Sequence, residues 1–293
     1  MDEKPDVTSP RELNALFQKY GLQPRRHMGQ NFLIDANIVR KIVNAAEIKT
    51  GDAVIEVGPG AGALTLSMAR KRARLLVIEI DRGLTRLLGD LLEPWPQVTI
   101  LEQDALHVSW DKQVEQIKPG QGNVKLISNL PYKISGPFMY NLFKAKFPFS
   151  MAVLMFQKEV ARRLVAGPGD PDYSTMSVLC RYYCEGKILF DVSKNVFFPR
   201  PKVGSAVLKL VPRRKDLTGK EEKLLWEIVQ GAFQQRRKTI LNSMDRLFDI
   251  SRNRLTELLE KVPLSPAARP EELSVGEFAK LTRITYNYLN KAN

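Results

Sequence analysis

The chain has 293 residues, which is enough for one α/β domain of about 200 residues and a smaller second domain. Its hydrophobic fraction of 44% and charged fraction of 26% are ordinary for a globular protein, and no apolar run approaches the ~18 residues of a membrane-spanning helix. The 45 basic residues outnumber the 32 acidic ones, and the net charge of +13 favours a polyanionic partner such as nucleic acid.

The N-terminal part of the chain, residues 1–30, is a polar and mostly basic lead-in. Its first six residues, MDEKPD, contain three acids and no apolar core, which is atypical of a secretory signal or an Arg-rich transit peptide. We therefore expect a cytoplasmic protein that binds no membrane. A short helix is predicted from about Glu12 to Tyr20, and a second helix is predicted from about Ala36 to Ala46.

Strand and helix patterns then alternate along the middle of the chain. Five apolar strands are predicted near 53–57, 75–79, 98–101, 124–128 and 151–156. Strands that alternate with helices form a mostly parallel sheet with helices on both faces, which predicts a Rossmann-like α/β fold. Two later segments, near 187–192 and 206–210, are predicted to close the sheet as an antiparallel pair.

The last third of the chain has helical periodicity. Apolar residues recur on one helical stripe at Leu224, Leu225, Ile228, Val229, Ala232 and Phe233. A Pro-rich break at 263–270 precedes a final helix that begins near Ser274, with Glu277 at capping-box spacing. We therefore predict a first domain at residues 1–212 and a small all-helical, RNA-binding domain at residues 213–293.

A glycine-rich turn follows the first predicted strand. Gly58, Gly60 and Ala63 lie between that strand and a helix, and Glu79 ends the next strand. Glycines allow close approach of the backbone to a ligand, and a carboxylate at Glu79 can accept both hydroxyls of a ribose. This arrangement also fits a nicotinamide dinucleotide.

Two acids favour S-adenosylmethionine over the nicotinamide cofactor. Glu56 lies inside the first strand, where a dinucleotide-binding domain usually has an apolar residue, and Asp104 follows the third strand, where it can accept from an adenine amino group. Together with the glycine turn and Glu79, they indicate a class I methyltransferase.

The fourth predicted strand is followed by Asn129, Leu130, Pro131 and Tyr132. An exocyclic amino group is a poor nucleophile because its lone pair is conjugated with the ring, so a site must accept hydrogen bonds from its N–H groups. Asn129 supplies a side-chain acceptor and Leu130 a main-chain acceptor, while Pro131 stiffens the turn. Tyr132 offers an aromatic face on which a base can stack. This tetrapeptide therefore predicts methylation of an exocyclic amine.

Basic residues are clustered in the second half of the chain. Arg200 and Lys202 lie in a Pro-rich turn, and Arg236, Arg237 and Lys238 are consecutive. Each cluster alone is typical of a solvated surface, but together with the net charge they predict contacts with RNA phosphates. The two histidines and two cysteines form no pattern typical of a metal site, and no metal is expected.

These motifs resemble those of the ribosomal RNA adenine N6,N6-dimethyltransferases, most closely the bacterial small-subunit branch (KsgA/RsmA). The resemblance covers nearly the whole chain. It rests on residues 29–33, 56–62, 129–132, 157–164, 197–206 and 236–239. It implies that Asn31 and Leu33 close over S-adenosylmethionine, that Gly58 lies against it and that Glu79 holds its ribose.

The same resemblance implies that Asp104 and Asn129 contact the adenine and methionine ends of the cofactor site. Tyr132 and Phe197 are expected to sandwich the target adenine, although Phe198 competes with Phe197 for this role. Stacking of this kind repays part of the cost of extracting a base from its helix.

The expected activity is dimethylation of two adjacent adenosines near the 3′ end of 16S rRNA. The expected partner is that RNA within a pre-30S particle, and the enzyme is expected to act as a monomer in small-subunit biogenesis. Two alternatives remain at this stage: a large-subunit rRNA dimethyltransferase of the macrolide-resistance type, and a non-catalytic ribosome-assembly factor.

Overall fold

The computed structural model describes residues 5–25, 28–117, 122–145, 147–235 and 238–291. Their contacts divide the chain into two compact units. The first comprises Met1–Ala161 and Gly186–Pro212, and the second comprises Arg162–Glu185 and Arg213–Asn293.

The nine strands share short lengths and mostly apolar sequences. They are β1 (Phe32–Leu33), β2 (Ala53–Val57), β3 (Arg74–Glu79), β4 (Val98–Glu102), β5 (Val124–Asn129), β6 (Met151–Gln157), β7 (Cys184–Val192), β8 (Phe197–Phe198) and β9 (Ser205–Pro212), counted over the described residues. The five strands expected between residues 53 and 156 are thus confirmed as β2 to β6.

The helices begin in the lead-in and dominate the last third of the chain. Within the described residues they are α1 (Pro10–Lys19), α2 (Ala36–Ala45), α3 (Ala63–Ala69), α4 (Arg82–Leu92), α5 (Trp110–Ile117), α6 (Ser135–Lys144), α7 (Lys158–Val165), α8 (Thr175–Tyr183), α9 (Gly219–Phe233), α10 (Ile240–Leu247), α11 (Arg252–Glu260) and α12 (Val275–Lys291). None of the described helices combines the length and the apolar character needed to span a membrane.

Seven strands form one sheet in the order β4-β3-β2-β5-β6-β9-β7. Neighbours among the first five strands run parallel, and β9 runs antiparallel to β6. The central strand β2 is buried along its whole length, since helices cover both faces of a parallel sheet. The predicted α/β fold with a mostly parallel sheet and an antiparallel strand is therefore confirmed.

The parallel strands end at one edge of the sheet. Val57, Glu79, Glu102 and Asn129 are the last residues of β2, β3, β4 and β5. In an open α/β sheet, ligands bind at this carboxyl edge, because the loops that follow the strands meet there.

A second sheet consists of only two short strands. β1 pairs antiparallel with β8, so that Phe32 lies opposite Phe198 and Leu33 lies opposite Phe197. The Phe32 ring also packs edge-on against Phe17 of α1, with ring centroids 4.9 Å apart. This pairing ties the lead-in to the Pro-rich segment of the sequence.

The second unit is built on capped helices. Thr218 and Glu221 form a capping box at the start of α9, and the Ser274 N–H donates to Glu277 Oε2 at the start of α12. The Tyr173 hydroxyl donates to the Leu273 carbonyl at 2.9 Å. Tyr173 also packs edge-on against Phe233 of α9, and contacts of this kind group residues 162–185, which the sequence assigns to the first domain, with the helical unit. The domain boundaries themselves stay a prediction.

Candidate active site

A cavity of about 330 Å³ lies at the carboxyl edge of the sheet. It is lined by the loops that follow β2, β3, β4 and β5 and by the segment 28–33. Its size falls within the usual range of small-molecule sites. The predicted residues that line this cavity are Asn31, Leu33, Gly58, Glu79, Asp104, Asn129, Leu130, Pro131 and Tyr132. The structure therefore brings together every predicted cofactor residue and four of the five predicted catalytic residues.

Two glycines of the turn lie where neighbouring rings leave no room for a side chain. Gly58 has φ +65°, and a Cβ added there would lie 2.8 Å from the Pro131 ring. Gly60 has φ +58°, and its Cβ would lie 3.0 Å from the Phe32 ring. A side chain at either position would therefore be strained and crowded.

Glu79 is buried at the end of β3, with 6% of its surface exposed. Its Oε1 accepts the backbone N–H groups of Ile80 and Asp81, both at 2.9 Å. Burial raises the pKa of Glu79 to about 7, although hydrogen bonds from Asp81, Gly60 and Ile80 favour the ionised form. A carboxylate can accept about four hydrogen bonds, so Glu79 can also accept from ribose hydroxyls.

Glu56 lies on the neighbouring strand and is also buried. Its Oε2 accepts a hydrogen bond from the Thr65 hydroxyl at 2.6 Å. Burial, with a smaller contribution from the charge of Glu79, raises the pKa of Glu56 to about 8, although the Thr65 hydrogen bond favours the ionised form. The cavity therefore has two carboxyl groups whose ionisation is unfavourable near neutral pH.

We expect the free energy of unfolding of the cofactor-free protein to decrease as pH rises from about 4.5 to about 8. Both folded-state pKa values are raised, so the folded protein holds protons that the unfolded chain has released in this window. The stabilisation is complete below about 4.5 and is lost as pH passes through about 7 for Glu79 and about 8 for Glu56. Urea unfolding at several pH values measures this, and Glu56→Gln should flatten the upper part of the profile.

We also expect the affinity for S-adenosylmethionine to increase as pH rises from 6 to 8. In its predicted role ionised Glu79 would accept two ribose hydroxyls, whereas the protonated form has one acceptor fewer, and its pKa is raised to about 7. The affinity should fall by up to about tenfold per pH unit below that pKa. Calorimetry at each pH tests this, and a profile in Glu79→Gln as steep as that of the unaltered protein would contradict it.

Asp104 borders the cavity after β4. Its Oδ1 accepts the Leu106 N–H at 2.9 Å, and its Oδ2 lies 3.1 Å from His107 Nδ1. The carboxylate is thus fixed by the turn it caps while remaining in the cavity wall. This position agrees with its predicted contact to an adenine amino group, which stays a prediction.

Asn129 meets Asn31 at the mouth of the cavity. The Asn129 Nδ2 group donates to the Asn31 backbone carbonyl at 3.1 Å, and Asn31 Nδ2 donates to the Gly29 carbonyl at 3.1 Å. Because the Asn129 nitrogen is held by this bond, its Oδ1 is available as an acceptor. The orientation suits the predicted role of Asn129 as an acceptor for an amine N–H.

Tyr132 begins a short 3₁₀ turn directly after Pro131. Its hydroxyl lies 2.6 Å from the hydroxyl of Ser205, the first residue of β9, and Ser205 is fully buried. Burial raises the pKa of Tyr132, so the phenol is neutral at physiological pH. The ring is therefore held at the cavity wall by a residue from a distant part of the sequence.

Phe197 differs from its predicted position. Its side chain is 3% exposed and packs in the hydrophobic core with Leu33 and Val207, and it does not line the cavity. The pairing of β8 with β1 accounts for this, because Phe197 lies opposite Leu33 and supports it from behind. Phe198, the competing residue, is partly exposed. The structure therefore does not bring Phe197 to the stacking position.

The predicted RNA-binding residues lie outside the cavity. Arg200 and Lys202 are exposed in the segment between β8 and β9, and neither has an ion pair with another described residue. Lys238 is exposed in the second unit, whereas Arg236 and Arg237 lie outside the described residues. Their RNA contacts stay a prediction.

Sequence reasoning missed Ser205 and the residues around Asp81. Asp81 caps α4 and forms a 3.2 Å ion pair with Arg25, and Gln30 donates to it at 3.2 Å. The available signal was that Gln30 and Ser205 lie within recognised motifs, at residues 29–33 and 197–206, although no role was assigned to either.

These residues fit S-adenosylmethionine as the cofactor. A glycine turn without room for a Cβ gives the ligand close access to the backbone. The buried carboxyl of Glu79 suits ribose hydroxyls, and Asp104 provides an acceptor farther along the same edge. Carboxylates and an aromatic ring in the cavity lining are also compatible with a cationic sulfonium.

Comparisons with known proteins give matches over most of the chain. The profile of the family described as ribosomal RNA adenine dimethylase matches residues 21–286. Ribosomal RNA small subunit methyltransferase A of Pediococcus pentosaceus is 39% identical over 285 residues, which cover 96% of each chain. The protein of the same name from Moorella thermoacetica is 42% identical, over 94% of this chain and 98% of the relative.

Two solved structures are similar to this chain over most of its length. A dimethyladenosine transferase from Plasmodium falciparum has a TM-score of 0.72 and 27% identity, over 88% of this chain and 98% of that one. The 23S rRNA methyltransferase ErmE has a TM-score of 0.65 and 24% identity, over 87% of this chain and 99% of that one, and so shares the fold. From the match over most of its length and from these relatives, the chain belongs to the ribosomal RNA adenine dimethylase family.

Proposed function

We propose that this protein transfers two methyl groups from S-adenosylmethionine to the N6 atom of each of two adjacent adenosines near the 3′ end of small-subunit (16S) rRNA. The observation that carries the proposal is the convergence of Asn129, Leu130 and Tyr132 on the same cavity as Gly58 and Glu79. One cavity thus contains groups suited to binding the amine that is methylated and groups suited to binding the methyl donor. The names of the relatives support the small subunit as the source of the RNA.

The chemical step depends on hydrogen-bond acceptors rather than on a strong base. S-adenosylmethionine supplies an electrophilic methyl group bonded to a sulfonium. Asn129 Oδ1 and the Leu130 carbonyl accept hydrogen bonds from the N6 N–H groups. These hydrogen bonds draw the nitrogen lone pair out of conjugation and aim it along the line of displacement. The amine becomes cationic on attack and then releases its proton readily to water.

Tyr132 is proposed to hold the target base. An adenine must leave its stack to reach the cavity, and an aromatic face repays part of that cost. The hydrogen bond to buried Ser205 fixes the Tyr132 ring before the base arrives. Pro131 packs against Gly58, which keeps the tetrapeptide close to the cofactor loop. Phe197 is given no stacking role, because its ring is part of the core.

Charge on the first unit is proposed to bind RNA phosphates. The exchange Arg200→Gln with Lys202→Gln should reduce the salt slope of RNA binding by about 1.4 to 1.8, since each lost phosphate contact removes about 0.7 to 0.9. Binding to small-subunit rRNA at several salt concentrations measures the slope. Lys49→Gln with Lys187→Gln is the matched control, because both lysines are exposed in the same unit. If the slope is unaltered in the first double variant, Arg200 and Lys202 are solvated surface residues that contact no phosphate.

The wider setting is also part of the proposal. The enzyme is proposed to act as a monomer on a pre-30S particle in the cytoplasm during small-subunit biogenesis. The segment that contains Lys238, with Arg236 and Arg237, is proposed as an RNA contact of the helical unit, and residues 1–212 and 213–293 as the catalytic and RNA-binding domains.

One experiment tests the activity against both alternatives. Purified protein is incubated with labelled S-adenosylmethionine and either undermethylated small subunits or large subunits, and the RNA is then digested and analysed for nucleosides. We expect N6,N6-dimethyladenosine from small subunits, and primer extension should stop at two adjacent adenosines. Labelling of large subunits alone would favour the resistance-type enzyme. Absence of labelling in both, with cofactor binding intact, would favour a non-catalytic assembly factor.

A further inference from the structure

A groove of about 1110 Å³ lies beside the cofactor cavity in the first unit. It is formed by α1, by the loop that follows it and by β8. Its lining includes Asn14, Phe17, Gln18, Gln23 and Phe198. None of them has a role in the activity proposed above.

The groove and the cavity share a wall. Phe32 lines the cofactor cavity and lies opposite Phe198, which lines the groove. Phe32 also packs against Phe17, another groove residue, at 4.9 Å between centroids. Side chains of directly opposite residues in an antiparallel pair lie on the same face of the sheet, so Phe32 and Phe198 are neighbours and the two spaces adjoin along this pair. A nucleotide chain that enters the cavity with one base has its neighbouring base within reach of the groove.

The groove has the groups that recognise a base. Asn14 and Gln18 are four residues apart on α1 and so present their amides on one exposed face. Together with Gln23, they make no side-chain hydrogen bond to any other residue that the structure describes. Side-chain amides offer a paired donor and acceptor, which matches the edge of an adenine.

Phe198 adds a stacking surface to the same groove. Its neighbour Phe197 is buried in the core, whereas Phe198 is partly exposed and faces the groove. Aromatic faces stack on bases regardless of sequence. Arg200 and Lys202 follow directly in the chain and are exposed, so a phosphate next to the stacked base has cations nearby.

We propose that this groove binds the nucleotide adjacent to the adenosine being methylated. Its base stacks on Phe198 and its edge is read by Asn14, Gln18 and Gln23. Because the proposed substrate has two adjacent adenosines, the second adenosine occupies the groove while the first is in the cavity. The inference rests on the proposed function, since it requires an RNA base in the cofactor cavity.

The test compares undermethylated small subunits that carry one of two RNAs, one with the natural pair of adenosines and one with the neighbouring adenosine replaced by cytidine. The unaltered protein should methylate the remaining adenosine about 5- to 150-fold more slowly in the replaced RNA, the range expected when a bidentate base contact is lost. Asn14→Ala with Gln18→Ala should bring the two single-turnover rates close together. Alanine favours the helix, so α1 should remain folded.

The control variant removes side-chain amides that lie outside the groove. Asn44→Ala with Gln116→Ala removes two exposed amides from other helices and should keep the discrimination of the unaltered protein. Equal rates of the unaltered protein on the two RNAs, or an unchanged ratio in the Asn14 and Gln18 variant, would overturn the inference. Absence of methylation on the natural RNA would instead refute the proposed function.

Stacking is measured independently of the reaction. An RNA with 2-aminopurine at the neighbouring position should lose fluorescence on binding to the unaltered protein and to Phe198→Tyr, because both offer an aromatic face. Phe198→Leu should show less quenching while S-adenosylmethionine affinity stays unchanged. Equal quenching in all three proteins would show that Phe198 does not stack on this base.

Discussion

Replacing Asn129 with alanine should reduce the single-turnover rate of methyl transfer by about 100-fold or more. The change removes the amide acceptor at the end of β5 and little volume. It also removes the hydrogen bond from Asn129 Nδ2 to the Asn31 carbonyl, so the rate must be measured at saturating S-adenosylmethionine. RNA binding should be unaffected, because the lost group acts on the reacting nitrogen.

Tyr132→Phe and Ser205→Ala are matched controls for this variant. Each removes the same 2.6 Å hydrogen bond and keeps an aromatic ring at position 132, so we expect only a small decrease in rate. Single-turnover dimethylation by Asn129→Ala at nearly the rate of the unaltered protein would refute activation of the amine by this amide. The family assignment would survive that result, since it rests on the whole chain.

Replacing Glu79 with alanine should weaken S-adenosylmethionine binding by about 1.5 to 3 kcal/mol, which is roughly tenfold to 150-fold in affinity. The carboxylate is buried at the end of β3 and is already held by the Ile80 and Asp81 backbone N–H groups. It is therefore preorganised to accept ribose hydroxyls. Isothermal calorimetry with the cofactor alone measures the change.

Glu102→Ala is the matched control for the carboxylate. Glu102 ends the neighbouring strand β4 in register with Glu79, but it is exposed and forms an ion pair with Arg82 at 2.8 Å. Its loss should leave cofactor affinity nearly unchanged, because an exposed ion pair contributes little. If a folded Glu79→Ala protein binds as tightly as the Glu102→Ala protein, Glu79 is not a cofactor ligand.

The arrangement of the cofactor residues could be predicted from sequence because it follows from one rule. Consecutive parallel strands end at the same edge, so Gly58, Glu79, Asp104 and Asn129, each at or just after a strand end, had to converge. Each strand was also recognisable as a short apolar run. The role of Asn129 as an amine acceptor stays a prediction, which its place in the cavity wall supports.

Other contacts could not be predicted, because nothing in the local sequence encodes them. The pairing of β1 with β8 involves two residues on each side, too few to produce a periodic pattern. That pairing decides which ring of the Phe197–Phe198 pair enters the core. The contact between Tyr132 and Ser205 likewise joins segments that are far apart in sequence. Each of these features depends on tertiary packing rather than on local propensity.

The close approach of Gly58 to Pro131 bears on how accurately the reaction is aligned. The two residues follow β2 and β5, which are hydrogen-bonded neighbours in the sheet. Asn129 and Leu130 come directly before Pro131, so this contact fixes the proposed amine acceptors next to the glycine turn at a spacing too tight for one added carbon. A displacement of about 1 Å between reacting groups can cost about 100-fold in rate, so we expect substitutions that loosen this contact to slow methyl transfer.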